Sequence, residues 1–287
     1  MCGIVGLFLK DEGLAPELGA MLSDMLVTLT DRGPDSAGIA IYGPEVPGRT
    51  KLTVQSDAPD SEFAALAGAL GADARLERRG NHAVLHLPEA MAAPLPEGLR
   101  VMGAGRRIEI FKDVGLPRDV VERFGIRGMG GSHGIGHTRM ATESAVTTLG
   151  AHPFSTGADQ CLVHNGSLSN HNNVRRKLRH AGMRFETDND SEVAAAYLTH
   201  RMAQGDDLGA ALTHALEELD GFYTFVVGTA DGFGVLRDPI ACKPAVMAET
   251  GQYVAFGSEY RAMAMLPGIE TARVWEPEPA TVYFWKH

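Results

Sequence analysis

The chain of 287 residues is short of cysteine, of basic charge and of uninterrupted apolar sequence. Three cysteines, Cys2, Cys161 and Cys242, are too few and too scattered for a disulfide framework or a zinc site, so reduced thiols and no bound metal are expected. The longest apolar stretches, such as Ile4 to Leu9, fall far short of the roughly 18 residues that cross a bilayer. No charged-then-apolar leader is read ahead of them, and the expectation is a cytoplasmic protein with no membrane partner. A formal net charge of −10 argues against nucleic acid as a partner, because a polyanion would have to be met by a local basic patch against the field of the whole chain. One such patch is visible, the helix-sized run Arg175 to Arg179. With 44% hydrophobic and 22% charged residues, the composition is that of a globular protein of one large or two small domains, which excludes disorder, collagen and coiled coil.

What is present reads as strands and helices in runs. Residues 2–8 (CGIVGLF) form a short, apolar, β-rich segment whose two glycines thin it where another backbone comes close. Leu18, Leu22, Met25 and Leu29 recur at helical spacing, predicting an amphipathic helix over about 15–30 that stops at Asp31-Arg32-Gly33-Pro34-Asp35. A strand resumes over 39–42. Residues 43–98, with Pro44, Pro47 and Pro59, read as an insertion carrying one helix over 61–70 and one strand over 83–87. Two strand-like halves flank Gly103-Ala104-Gly105, and a short helix is expected over 118–124. The glycine run from Gly128 to Gly136 misses the dinucleotide spacing, since the third glycine of G-x-G-x-x-G falls on His133, so no cofactor loop is expected. Then come a strand over 160–163, helices over 172–180, 191–202 and 208–219, and strands over 222–227, 232–236, 253–256 and 281–285. Strands at both ends with helices between them predict an α+β layered architecture.

The start, Met1-Cys2-Gly3, carries the most chemistry. A small side chain at position 2 permits removal of Met1, which would leave a thiol and a free α-amine on Cys2. A thiol titrates near ~8.5 and an α-amine near ~7.7–8.0, so transferring the proton from sulfur to nitrogen costs only about 1 kcal/mol. Nucleophile and base then share one residue and no catalytic histidine is needed, the logic of the N-terminal threonine pair. A cysteine that merely fills a core strand is the other reading.

The company that Cys2 keeps decides between them. Cys2-Gly3-Ile4-Val5-Gly6, Arg32-Gly33-Pro34-Asp35-Ser36, Gly136-His137-Thr138-Arg139-Met140-Ala141-Thr142, His152-Pro153-Phe154, His164-Asn165-Gly166 and Asp190-Ser191-Glu192 follow one another in one chain. The set resembles the class II glutamine amidotransferases, N-terminal-nucleophile glutaminases found in glucosamine-6-phosphate synthase, amidophosphoribosyltransferase, asparagine synthetase and glutamate synthase. Arg237-Asp238-Pro239, Lys243-Pro244 and Gly257-Ser258-Glu259 look like that family's closing strands. The resemblance covers residues 1–42 and about 100–260. It implies a four-layer αββα sandwich of the N-terminal-nucleophile hydrolase type, in a single domain over 1–287 with a family-variable insertion at about 43–98.

The resemblance also assigns roles. Cys2 is the expected nucleophile, with the Asn165 side chain and the Gly166 backbone N–H stabilising the oxyanion of the attacked amide. Arg139 is expected to bind the substrate carboxylate, for which its planar fork suits it, Asp190 the ammonium, and Thr142 to line the pocket. Arg32 and Asp35 are positional. Taken alone, Asp190 reads equally as a helix N-cap and Asn165-Gly166 as a type I′ turn; His164 is expected to be structural. The chain departs from the sugar-synthase pattern Trp-Ala-Thr-His-Gly at Met140-Ala141-Thr142-Glu143-Ser144, where Glu143 replaces a pocket histidine.

Barely 30 residues follow Glu259, so no synthase domain is expected on this chain, and the ammonia would pass to another polypeptide that the insertion helps to bind. The Gly134-to-Ser144 segment and Phe111-Lys112-Asp113-Val114-Gly115 look like the stand-alone amidotransferase subunit of N-methylglutamate synthase and its glutamate-synthase-like relatives. That implies L-glutamine as substrate, glutamate-synthase-like partner subunits, and flavin and iron–sulfur chemistry on those partners. No cofactor is expected here, since three isolated cysteines cannot supply the usual four cluster ligands. The other readings are a γ-glutamyl amide hydrolase or transferase, for instance one acting on γ-glutamylmethylamide, and a non-catalytic assembly subunit.

Overall fold

A computed structural model describes residues 2–89, 91, 95–141 and 145–287. The chain opens with strand β1 (Gly3–Leu9), helix α1 (Leu18–Thr28) and strand β2 (Ser36–Tyr42), then runs through β3 (Arg49–Gln55), α2 (Pro59–Ala69), β4 (Arg75–Arg79), β5 (His82–Pro88) and β6 (Arg100–Gly105). It continues with β7 (Ile108–Val114), α3 (Pro117–Phe124), β8 (His133–Arg139), β9 (Phe154–Gly157) and β10 (Gln160–Leu168). Three helices follow, α4 (His171–His180), α5 (Asp190–Ala203) and α6 (Leu208–Glu218). The remaining strands are β11 (Gly221–Gly228), β12 (Gly232–Arg237), β13 (Val246–Glu249), β14 (Tyr253–Gly257), β15 (Arg273–Trp275) and β16 (Thr281–Lys286).

A seven-stranded sheet, β15-β13-β14-β1-β8-β2-β7, and a five-stranded sheet, β16-β12-β11-β10-β9, supply the two inner layers. The layering follows from the two-residue period of the strands. On β1, Val5, Leu7 and Leu9 turn outward to α1 and α3, burying Leu18, Leu22, Met25, Leu26 and Phe124 in one cluster. Ile4 and Phe8 turn inward and meet Val163, Val226, Phe233 and Val235 of the second sheet. Gly6 shares that inward face, and a Cβ there would lie 2.6 Å from the Phe233 ring, so the sheets approach over a glycine. Leu162, Tyr223, Phe225 and Val227 cover the other face of the second sheet, against α4, α5 and α6. The order is helix, sheet, sheet, helix, the αββα sandwich.

Three features differ from the expectation. The helix predicted over 15–30 is α1 flanked by two 3₁₀ turns, Glu12–Glu17 with Pro16 inside it and Thr30–Arg32. The glycine run ends in a strand: His133–Arg139 lies between β1 and β2, and its glycines let α1 approach, a Cβ on Gly134 falling 2.8 Å from Leu22. The two halves around Gly103-Ala104-Gly105 enter different sheets, β6 joining a four-stranded sheet β4-β5-β3-β6 and β7 the seven-stranded one. That small sheet is most of the 43–98 stretch, and β3 and β4 in it escaped the sequence pattern. It has its own core of Val54, Phe63, Leu66, Ala83, Leu85 and Leu87. Asp159 ties it to the sandwich, its carboxylate accepting the backbone N–H groups of Arg106, Arg107 and Ile108 at the β6–β7 turn.

Candidate active site

Cys2 stands at the entry to β1, where the ends of β8 and β10 come together. Two side chains hold its backbone carbonyl, Arg32 through Nε at 3.0 Å and Asn165 through Nδ2 at 3.1 Å. The next residues are fixed by Ser258, whose Oγ accepts the Ile4 N–H and whose own N–H donates to the Ile4 carbonyl. The Cys2 sulfur remains partly open, 3.9 Å from the Met140 carbonyl. Arg32 is in turn paired with Glu259 at 2.5 Å, a charge-assisted bond that lowers the Glu259 pKa. Asp35 anchors the opposite wall, its carboxylate accepting the Ala141 N–H at 2.8 Å and its N–H donating to the Arg139 carbonyl. Arg32 and Asp35 thus hold the segments on either side of the sulfur.

Asn165 and Gly166 lie within β10, paired with Thr224 and Tyr223 of β11, so they form no type I′ turn. Strand parity explains the placing. Leu162 and His164 face the helices, whereas Val163 and Asn165 face the other sheet and reach Cys2. Gly166 has φ +143°, and a Cβ on it would fall 2.0 Å from the Phe222 carbonyl, so only glycine fits.

Asp190 is the first residue of α5. The cap itself is Asn189, whose side chain accepts the Ser191 N–H at 2.8 Å, which corrects the N-cap reading of Asp190. Asp190 instead accepts the Leu168 N–H at 2.9 Å with one oxygen, and its other oxygen lies 3.8 Å from His164 Nδ1. Two groups with no assigned role hold the loop that leads into α5. Arg175 of α4, buried and stacked on Phe185 at 4.9 Å, donates to the carbonyls of Thr187 and Asn189. Glu192 accepts from the N–H groups of Glu186 and Thr187 and from the Thr187 hydroxyl. Arg175 belongs to the basic run noticed in the sequence, and its work is internal.

Three buried imidazoles cluster at the floor, His152 and His164 lining it and His137 packed behind them. His137 and His152 stack at 4.1 Å, His137 Nε2 is 3.2 Å from the His164 carbonyl, and the Ser191 hydroxyl lies between His152 (2.8 Å) and His164 (2.9 Å). Burial pushes all three pKa values down, that of His137 to about 3, so the imidazoles are neutral at pH 7. The Lys112 ammonium fixes the segment before His152 and just after it, donating to the carbonyls of Leu149, Ala151 and Pro153.

A cavity of about 320 Å³ opens above this floor, lined among others by Cys2, Arg139, Asn165, Gly166, Asp190 and Lys243. The structure therefore brings six of the expected residues to one place, Cys2, Asn165, Gly166, Arg139 and Asp190 in the cavity wall or rim and Arg32 behind Cys2, with Asp35 below the 139–141 segment. Thr142 and Glu143 lie outside the described residues, as does Met1. A cation, an anion and two oxyanion donors around a sulfur can hold a zwitterionic amino acid while the sulfur attacks its side-chain amide. No group of three or more His, Cys, Asp or Glu able to hold a metal occurs among the described residues, and no helix among them is long and apolar enough to cross a membrane.

Comparison with known proteins bears on the fold and the family. The fold matches the glutamine phosphoribosylpyrophosphate amidotransferase of B. subtilis, solved with ADP and GMP, with a TM-score of 0.66 at 20% identity over 99% of this chain. This chain spans 47% of that one, and the likeness supports the αββα fold. A family profile described as a glutamine amidotransferase domain matches residues 137–265. Over its full length the chain is 67% identical to the glutamine amidotransferase-like protein GlxB of Rhizobium meliloti (strain 1021), covering 99% of it. It is also 32% identical to a putative glutamine amidotransferase of Methanothermobacter thermautotrophicus, with 98% of each chain covered. The chain belongs to the class II glutamine amidotransferase family.

Proposed function

We propose that this chain is a glutaminase subunit that hydrolyses L-glutamine through a Cys2 thioester and hands ammonia to a separate synthase subunit. The observation that carries the reading is the meeting of Cys2, Asn165 and Gly166 with Arg139 and Asp190 around one 320 Å³ cavity. Removal of Met1 frees the Cys2 α-amine, which takes the thiol proton. The thiolate attacks the side-chain amide carbon, and the charge that develops on the amide oxygen falls to the second N–H of the Asn165 amide and to the Gly166 N–H. The intermediate collapses to a thioester as the amide nitrogen takes the proton from the α-ammonium and departs as ammonia. Water then attacks the thioester and releases glutamate. Arg139 receives the substrate carboxylate, Asp190 the ammonium, and Thr142 lines the wall.

The acceptor is proposed to be a glutamate-synthase-like assembly, such as an N-methylglutamate synthase, with any flavin or iron–sulfur cluster on the partner subunits. The small four-stranded sheet, which has a core cluster of its own, is the proposed contact surface for them. Intact mass and a glutaminase assay on the protein recovered from its host test the reading together. Loss of the Met1 mass, Cys2-dependent ammonia release and co-purifying subunits are expected. Full activity in Cys2→Ala, or a retained Met1 with full activity, would overturn the mechanism; recovery only as a homomer with unregulated activity would overturn the partner.

A further inference from the structure

The glutamine reading uses one cation and one anion to hold the substrate, Arg139 and Asp190, yet the cavity wall carries a second cation, Lys243, in the segment between β12 and β13. Among the described residues its ammonium lies within 4.0 Å of no carboxylate, although Asp190 lines the same cavity. Its ammonium sits over the Phe222 ring, 5.0 Å from the centroid, which fixes a long side chain without neutralising it. Phe222 is on β11 opposite Ser167, and its own carbonyl packs against Gly166. Lys243 therefore enters the cavity from the β10–β11 side, the side that supplies Asn165 and Gly166, whereas Arg139 enters from the end of β8. The charge of Lys243 is also felt at His164, the residue before Asn165, where it adds to the effect of burial in lowering the imidazole pKa.

We infer that Lys243 is a further charge of the reaction itself, whose ammonium stabilises the oxyanion on the substrate amide oxygen alongside Asn165 and Gly166; the inference rests on the glutaminase reading above. A cation held in place before substrate arrives, in a partly enclosed cavity floored by neutral imidazoles, pays no reorganisation when negative charge appears nearby. No bond to Lys243 forms or breaks: the proton moves between Cys2 sulfur, its α-amine and the departing nitrogen as already described. An interaction that strengthens only as charge develops changes kcat, whereas one made equally with bound substrate changes KM.

The test is steady-state glutamine hydrolysis by wild type, Lys243→Gln and Lys243→Arg, with Cys2→Ala as control. Lys243→Gln is expected to lower kcat roughly ten-fold with KM within about two-fold, and Lys243→Arg to recover most of the loss. A rise in KM at unchanged kcat would overturn the inference by assigning Lys243 to the substrate carboxylate, and unchanged constants would overturn it outright. Should turnover be too slow to follow, the limiting rate at which a γ-glutamyl diazoketone alkylates Cys2 replaces kcat, with the same expected ratio; an equal rate in Lys243→Gln overturns the inference. Undiminished glutaminase in Cys2→Ala would instead defeat the underlying reading, an outcome the Lys243 variants cannot produce. Lys243→Arg keeps the charge, so a loss in both variants equal to their loss of thermal stability counts as a structural role and overturns the inference.

Discussion

At the scale of single residues, the site is built by side chains that each satisfy two demands. Asn165 is the clearest: one of its amide hydrogens holds the Cys2 carbonyl, and the other is the one proposed to meet the substrate oxygen. Asn165→Ala removes an oxyanion donor and loosens Cys2 together. We expect kcat to fall by about 10²- to 10³-fold with a smaller change in KM, measured by ammonia release; Asn165→Asp, which keeps the shape but puts a carboxylate where negative charge develops, should do no better. Cys2, Asn165, Gly166, Arg139 and Asp190 were legible in the sequence because each sits in a short motif. Lys243, Arg175 and Lys112 were not, because their work depends on partners distant in sequence: Phe222 for one, the carbonyls of Thr187 and Asn189 for another, and three carbonyls between Leu149 and Pro153 for the last.

At the scale of elements, α4 and α5 work as a clamp on the 183–189 loop. Arg175 grips two of its carbonyls and Glu192 two of its N–H groups, so Asp190 is delivered at the head of α5 from a loop with few free backbone bonds. Breaking the Arg175 contacts removes two charge-assisted hydrogen bonds, each worth about 1.5–3 kcal/mol net, and part of that loss is expected to appear as misplacement of Asp190. On the proposed reading, in which Asp190 binds the substrate ammonium alike in ground and transition states, Arg175→Met is expected to raise the KM for glutamine roughly ten-fold and to change kcat much less. Kinetics over a range of glutamine concentrations check this, and a fall in kcat at constant KM would contradict it. The basic run 175–179 thus divides: Arg175 is buried and internal, while Arg176, Lys177 and Arg179 carry the outer face of α4.

The whole molecule buries histidine on a scale that makes its stability depend on pH. His82, His133 and His137 are completely buried, and burial lowers each pKa to about 3. His82 packs on Phe124 and Phe111, and His133 stacks on Tyr42 at 4.1 Å. The unfolded chain takes up a proton on each near the ordinary pH of ~6.5, while the folded chain does not until about 3. The unfolded state binds more protons in that window, so stability is fully present above pH ~6.5 and falls as the pH drops toward 3. Between pH 6.5 and 5 the loss is about 2 kcal/mol for each such histidine. Urea unfolding at pH 7 and pH 5 checks the sign, and His82→Leu should narrow the difference between the two. A second consequence of this architecture is that the small sheet carries a core cluster of its own while seating on the sandwich at several points, through Asp159, the Lys51–Glu109 ion pair and the packing of His82 on Phe111 and Phe124.

The sequence was enough for most helix-and-strand periods of the sandwich and for the motifs that become its candidate site, including the residues proposed as nucleophile and oxyanion donors, because all of these are local patterns whose chemistry travels with the residue. It misjudged β8, whose glycines look like a loop until α1 and the neighbouring strands press against them, and it read half of the 43–98 sheet, where β3 and β4 alternate too weakly to show. Only the tertiary structure decided that Asn165 faces Cys2 while His164 faces α5, that Asn189 rather than Asp190 caps that helix, and that Lys243 shares the cavity with both. The physical reason is that strand parity and layer packing turn neighbouring residues to opposite sides and bring residues more than 200 positions apart to the same wall, as Ser258 and Ile4 show.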